Sequence, residues 1–142
     1  MTAGTKIRVV IVDDYDMTRT LLGIILRGGQ FEVVGEASDG KAGVDVCLRL
    51  KPDLVLLDVV MPIMNGIEAL EAIHEQLPET LVLMVTANDD DEIVKQAIEK
   101  GAAGYIVKPF NTASVIETLN QARESFIVRN PAQVMPLSAK PE

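Results

Sequence analysis

The sequence predicts a doubly wound α/β fold, one parallel sheet of five strands with helices on both faces. Two observations carry this. Five short runs rich in Val, Ile and Leu alternate with longer segments of helical periodicity, the pattern of successive βα units. The middle run, opened by Asp53, is apolar without alternation from Leu54 to Leu57, which marks a strand covered by helices on both faces.

The first strand is Ile7 to Val12. The helix after it, from near Tyr15 to Arg27, carries Met17, Leu21, Leu22, Ile25 and Leu26 at helical spacing and stops at Gly28-Gly29. Gly23 within it costs about 1 kcal/mol relative to Ala and points to close packing. The second strand is Phe31 to Ala37, and its helix runs from Lys41 to Leu50, ending before Pro52. Asp53 to Leu57 is the third strand; the next helix has Ile67, Leu70, Ile73 and Leu77 on one face and stops at Pro78. Leu81 to Val85 is the fourth strand. Its helix opens on the acids of Asn88 to Glu92, which suit a helix N-terminus, and ends at Gly101. The fifth strand is Ala103 to Val107, and the last helix follows Asn111, a good N-cap, with Val115, Leu119 and Ala122 inward. Right-handed crossovers put helices on both faces of such a sheet, and five strands take the flavodoxin-like order 2-1-3-4-5. The domain is assigned to residues 1–126. Residues 127–142 hold three prolines and little periodicity, the composition of a flexible tail or linker stub.

A chain of 142 residues that is 48% apolar suits one domain with a real core. No apolar run reaches the roughly 18 to 20 residues that span a bilayer, and Val9 to Val12 is too short for a signal-peptide core. A cytoplasmic location without membrane contact is expected. Cys47 is the only cysteine, which excludes an intrachain disulfide and a cysteine metal cluster; within Val-Asp-Val-Cys-Leu it reads as a small buried hydrophobe. The net charge of −8, with no basic cluster, argues against direct nucleic-acid binding.

Chemistry is expected where the carboxyl ends of parallel strands share an edge. The first strand delivers Asp13 and Asp14, the third Asp58, the fourth Thr86 and the fifth Lys108. A carboxylate in the core is costly, so Asp58 is expected at the strand end, outside the core, with water or a partner. Three crowded carboxylates raise one another's pKa unless a cation intervenes. A hard oxygen site with few protein ligands suits Mg²⁺, whose charge together with Lys108 would cancel that of the acids. A phosphoryl group brought there meets metal, ammonium and hydroxyl, which favours carboxylate attack and an aspartyl phosphate on Asp58.

At this point "VVIVDD", "LVLLDVVMPIMNG", "LMVTA" and "GYIVKPF", in that order and at strand ends, resemble the receiver domains of two-component response regulators. The small chemotaxis-type receiver is the simplest of these. The resemblance covers about Lys6 to Arg123, with Pro62 four and Gly66 eight residues past Asp58. It implies that Asp58 accepts a phosphoryl group from a histidine kinase or phosphotransfer protein. It further implies that Asp14, Asp58 and the Val60 carbonyl bind Mg²⁺, with Asp13 assisting through water. Lys108 would pair with the acceptor, Thr86 and the Ala87 amide would hold the phosphoryl group, and Tyr105 would turn inward when Thr86 moves. Output would pass to a downstream effector protein, and Lys108-Pro109 resembles the family's cis peptide. Val60 and Asn88 occupy positions that tune the lifetime of the phosphorylated state, which ends by slow self-dephosphorylation rather than enzyme turnover.

Rival readings are weighed against the same residues. A haloacid-dehalogenase-like phosphatase would use Asp14-Tyr15-Asp16 as its nucleophile motif, but Lys108 follows Asp89 to Asp91 where that family places its lysine earlier, and Asp58 is left unexplained. A flavodoxin-type flavin binder needs hydroxyls and glycines where this chain has acids. A docking module without phosphorylation would not need the full reactive set. Of the remaining candidates, His74 is expected at the surface, and Met61 and Met64 are expected to pack the loop around Pro62.

Overall fold

The computed structural model describes residues 6–87 and 91–129. The elements alternate as β1 (Ile7–Val12), α1 (Asp16–Arg27), β2 (Phe31–Ala37), α2 (Gly40–Leu50), β3 (Leu54–Asp58), α3 (Gly66–Gln76), β4 (Leu81–Thr86), α4 (Asp91–Glu99), β5 (Gly104–Val107) and α5 (Thr112–Arg129). All strand pairs are parallel and the order is β2-β1-β3-β4-β5, the flavodoxin-like order expected from the sequence.

Strand alternation splits the core in two. Val9 and Ile11 pack with Leu22, Leu26, Val115, Leu119 and Phe126 on the α1/α5 face, whereas Val10 and Val12 pack with Cys47, Leu70, Ile73 and Ala97 on the α2/α3/α4 face. Every residue of β3 and β4 is buried, because successive side chains enter one core or the other. At roughly 25 cal/mol per Å² of apolar surface removed from water, these two layers supply most of the driving force for folding.

Several boundaries differ from the sequence expectation, each for a local reason. Asp53 precedes β3 because its carboxylate accepts the Arg8 backbone N–H at 2.9 Å. Asp58 is instead the last residue of the strand, in register with Val85. Leu77 closes α3 as its C-cap, and α2 starts at Gly40 because the Asp39 side chain accepts the Ala42 N–H at 2.7 Å. α5 continues to Arg129, past the expected boundary at 126; residues 130–142 of the expected tail lie outside the described residues, as do Asn88, Asp89 and Asp90. Met17 and Leu21 do not join the core: they are exposed, and α1 turns Thr18, Leu22, Gly23 and Leu26 inward. His74 is half-buried rather than at the surface, with its ring against the turn at Gly101.

Candidate functional site

At the carboxyl edge of the sheet, β1 and β3 are neighbours, so the loop after β1 and the end of β3 meet. Asp13 is 1% exposed and Asp58 5% exposed, while Asp14 faces solvent. The sequence placed Asp58 outside the core; the structure corrects this, since Asp58 sits within β3 between β1 and β4 and is covered from both sides. One carboxylate oxygen from each of Asp13, Asp14 and Asp58 lies within 4.8 Å of the others.

Lys108, just after β5, reaches back across the edge of the sheet. Its Nζ lies 3.1 Å from Asp13 Oδ2 and 3.7 Å from Asp58 Oδ2. Its backbone N–H donates to the Thr86 carbonyl at 2.8 Å, so the ends of β4 and β5 are tied together. The peptide bond between Lys108 and Pro109 is cis.

Burial pushes the Asp58 carboxyl up to about 6, with the neighbouring Asp13 charge and, more weakly, Asp14 adding to it; Lys108 and the Val60 backbone N–H oppose the shift. Ionised Asp58 is therefore disfavoured first by burial and then by the neighbouring acids. Hard carboxylate donors, one of them open to water at Asp14, fit a small divalent cation that keeps part of its hydration shell.

The other expected residues are close by. Thr86 ends β4 and is buried, in register with Val107. Ala87 is exposed directly after it, and Asn88 lies outside the described residues. Val60, two residues past Asp58, is 73% exposed. Tyr105 pairs in register with Met84, which sets it diagonally across from Thr86. The ring is 41% exposed and borders a cleft of about 570 Å³ that runs along β5 and α5 past Val107, Val115 and Thr118.

The loop from β3 to α3 is held by close approach. A Cβ on Gly66 would stand 2.1 Å from the Asp58 carbonyl oxygen and 2.7 Å from Val59 Cα, so only glycine lets the helix start this near the end of β3. Asn65 and Glu68 then close a reciprocal capping box at 3.0 and 3.1 Å. Met61 is buried and Met64 packs against the same core, as expected of residues that pin a loop.

One contact residue escaped the sequence reading. Arg19 on α1 donates from Nη1 to the Asp13 carbonyl at 2.6 Å and from Nε to Glu36 Oε1 at 3.0 Å, and it pairs with Asp16. Only its spacing from Asp16, three residues on one helix face, was visible in the sequence, and that spacing signals nothing about the strand-end loop. Asp16, engaged by Arg19 and otherwise exposed, is not one of the acids whose oxygens converge. This removes the second acid of the Asp14-Tyr15-Asp16 phosphatase motif from the site.

Comparison with known proteins places this geometry. The chemotaxis protein CheY of Thermotoga maritima is 40% identical over 114 residues, 80% of this chain and 95% of that protein. The response regulator domain of Thermotoga maritima CheB superposes with a TM-score of 0.78 at 35% identity, covering 85% of this chain and 96% of that one. The CheX-CheY-BeF3-Mg complex from Borrelia burgdorferi contains a chain with a TM-score of 0.79 at 33% identity, covering 82% of this chain and 89% of that one. Residues 9–120 match the family model described as the response regulator receiver domain. With its five-stranded flavodoxin-like sheet and its acids and lysine at the carboxyl edge, the chain belongs to the response regulator receiver family.

Proposed function

We propose that Asp58 is the phosphoryl acceptor of this receiver, and the observation that carries it is the meeting of Asp13, Asp14 and Lys108 around that one carboxylate. A carboxylate oxygen of Asp58 attacks the phosphorus of a phosphohistidine on a histidine kinase or phosphotransfer protein. The P–N bond breaks as the P–O bond forms, the electron pair going to the donor's ring, whose other nitrogen already carries a proton, so that an acyl phosphate is left here and a neutral histidine on the donor. Asp13, Asp14, Asp58 and the Val60 carbonyl hold Mg²⁺, which when bound supplies positive charge against the acid cluster and the incoming phosphoryl oxygens. Lys108 moves its ammonium toward those oxygens, and the Thr86 hydroxyl and Ala87 N–H donate to them. The state ends by slow hydrolysis, and the chain works in the cytoplasm as an acceptor rather than as a turnover enzyme.

Output follows from the diagonal placement of Thr86 and Tyr105. Drawing the Thr86 hydroxyl toward the phosphoryl group vacates space for the Tyr105 ring, which changes the surface that α4, β5 and α5 offer to an effector protein. An effector shifts this equilibrium only through its different affinities for the two states.

Incubation with Mg²⁺ and a small phosphodonor, followed by mass spectrometry, tests the assignment. One acid-labile phosphoryl group on Asp58 is expected, absent in Asp58→Asn. Stoichiometric labelling that persists elsewhere in that variant overturns it. The phosphatase alternative predicts rapid turnover of a phosphate ester through Asp14 instead.

A further inference from the structure

We propose that Arg19 is a positioning residue for the divalent cation, holding the loop after β1 so that Asp14 is presented to it. The inference rests on the reading of Asp13, Asp14 and Asp58 as the cation site.

Asp13 ties the loop to its surroundings at four points, beside the Tyr15 carbonyl that accepts the Thr18 and Arg19 N–H groups of α1. The N–H of Asp13 donates to the Ala37 carbonyl at 3.0 Å, its Oδ1 accepts the Tyr15 N–H at 2.9 Å, and its Oδ2 lies 3.1 Å from Lys108 Nζ. Its carbonyl is held by Arg19 Nη1 at 2.6 Å. That carbonyl belongs to the planar peptide unit joining Asp13 to Asp14, so its direction sets where the Asp14 N and Cα, the base of its side chain, lie. Asp14 itself is exposed. The peptide before it therefore sets the point from which its carboxylate extends, and rotation about the bonds of Asp14 itself sets the rest.

Arg19 can hold that carbonyl because its own position is over-determined. The guanidinium is seated by Glu36 on β2 and by Asp16 on the first turn of α1, and only 16% of the side chain is exposed. Glu36 immediately precedes Ala37, whose carbonyl receives the Asp13 N–H. Both ends of the Asp13 backbone are thus referred to the same stretch of β2, one directly and one through Arg19. A planar fork with several donors makes these bonds at fixed angles, which a lysine ammonium cannot reproduce.

Charge and geometry make opposite forecasts here, and that makes the proposal testable. Arg19 is a cation beside the acids of the loop, so a purely electrostatic role means that removing it strengthens binding of a second cation. A positioning role means that removing it weakens binding, and outer partners of metal ligands commonly change affinity by about 10- to 100-fold.

The experiment titrates the full chain with Mn²⁺, reading free Mn²⁺ by its paramagnetic resonance signal at pH 7, for the unaltered protein, Arg19→Met and Arg19→Lys. Urea unfolding in chelator, run alongside, establishes that each variant is folded. The expected result is a Kd raised about tenfold in both variants. Arg19→Lys is the decisive one, because it keeps the charge and removes the fork; it also carries the test if Arg19→Met fails to fold. An unchanged Kd in Arg19→Lys, or a lowered Kd in Arg19→Met, overturns the proposal and leaves the cation site standing. If the unaltered protein takes up no Mn²⁺ at millimolar concentration, the cation site falls and the role of Arg19 falls with it.

Discussion

Lys108 Nζ lies 3.1 Å from Asp13 Oδ2 but 3.7 Å from Asp58 Oδ2, so the ammonium sits nearer the acid of β1 than the acid that ends β3. Asp13 is almost fully buried, and its Oδ2 meets this ammonium without aligned hydrogen-bond geometry. Lys108 therefore sets a positive charge against the buried acid at the end of β1.

Replacing Lys108 by Met is expected to destabilise the metal-free protein at pH 7 by about 1–2 kcal/mol, a value reduced because the lysine is partly exposed. The loss should shrink in acid, once the Asp58 carboxyl, raised to about 6, is protonated and no longer attracts the ammonium. Urea midpoints in chelator at pH 7 and pH 4 check this; equal midpoints for the two proteins at pH 7 would count against the ion pair.

Asp58 makes the opposite contribution. Its carboxyl is raised from an ordinary 3.8 to about 6, chiefly by burial and then by Asp13. The folded state thus binds more protons than the unfolded state between these values, and stability falls as pH rises through that window. Asp58→Asn should stabilise the metal-free protein by up to about 3 kcal/mol at pH 7, two pKa units being worth roughly that much. The advantage should be complete above about pH 6 and gone below the ordinary carboxylate pKa of 3.8. Thermal melts of both proteins across this range would show it, and a pH-independent difference would refute it.

Gly66→Ala places a methyl group 2.1 Å from the Asp58 carbonyl oxygen. Both partners in this clash are backbone, so α3 or the end of β3 has to move. Overpacking of this kind costs about 1–3 kcal/mol. The variant should unfold at lower urea and label more slowly with a small phosphodonor. Unchanged labelling would show that the Asp58 carboxylate tolerates a displaced loop.

Cys47 is fully buried and its thiol is pushed up to about 12 by burial. Thiolate is the reactive form, so an aromatic disulfide reagent at pH 8 should leave the native thiol untouched and modify it only as the chain unfolds. Rapid stoichiometric modification without denaturant would contradict the packing of α2 against β1, β2 and α3.

The sheet was legible because its evidence is local and repeated. Runs such as Val9 to Val12 and Leu54 to Leu57 announce buried strands by composition, and chirality then limits their order. The site was legible for the same reason: once the order is known, Asp13, Asp14, Asp58, Thr86 and Lys108 must share an edge. Cys47 was also placed correctly, since its neighbours are apolar at helical spacing. The common source of these readings is periodicity, which depends only on residues a few positions apart.

Periodicity does not say what lies opposite a residue. Met17 and Leu21 have the spacing of core residues, yet the strip of sheet beneath α1 is filled by Leu22 and Leu26, and the two are left in solvent. His74 looks like a surface residue beside Glu71 and Glu75 until the turn at Gly101, 27 positions later, closes over it. Asp58 is buried because β1 and β4 flank it, and Arg19 reaches the Asp13 carbonyl because β2 brings Glu36 alongside. The sequence by itself determined the strands, which follow from short-range pattern, and with the flavodoxin-like order expected for five of them it also indicated the edge where the acids meet. Burial, ion-pair partners and the anchoring of the β1 loop were decided only by tertiary structure, because they depend on distances between residues that the chain brings together from far apart.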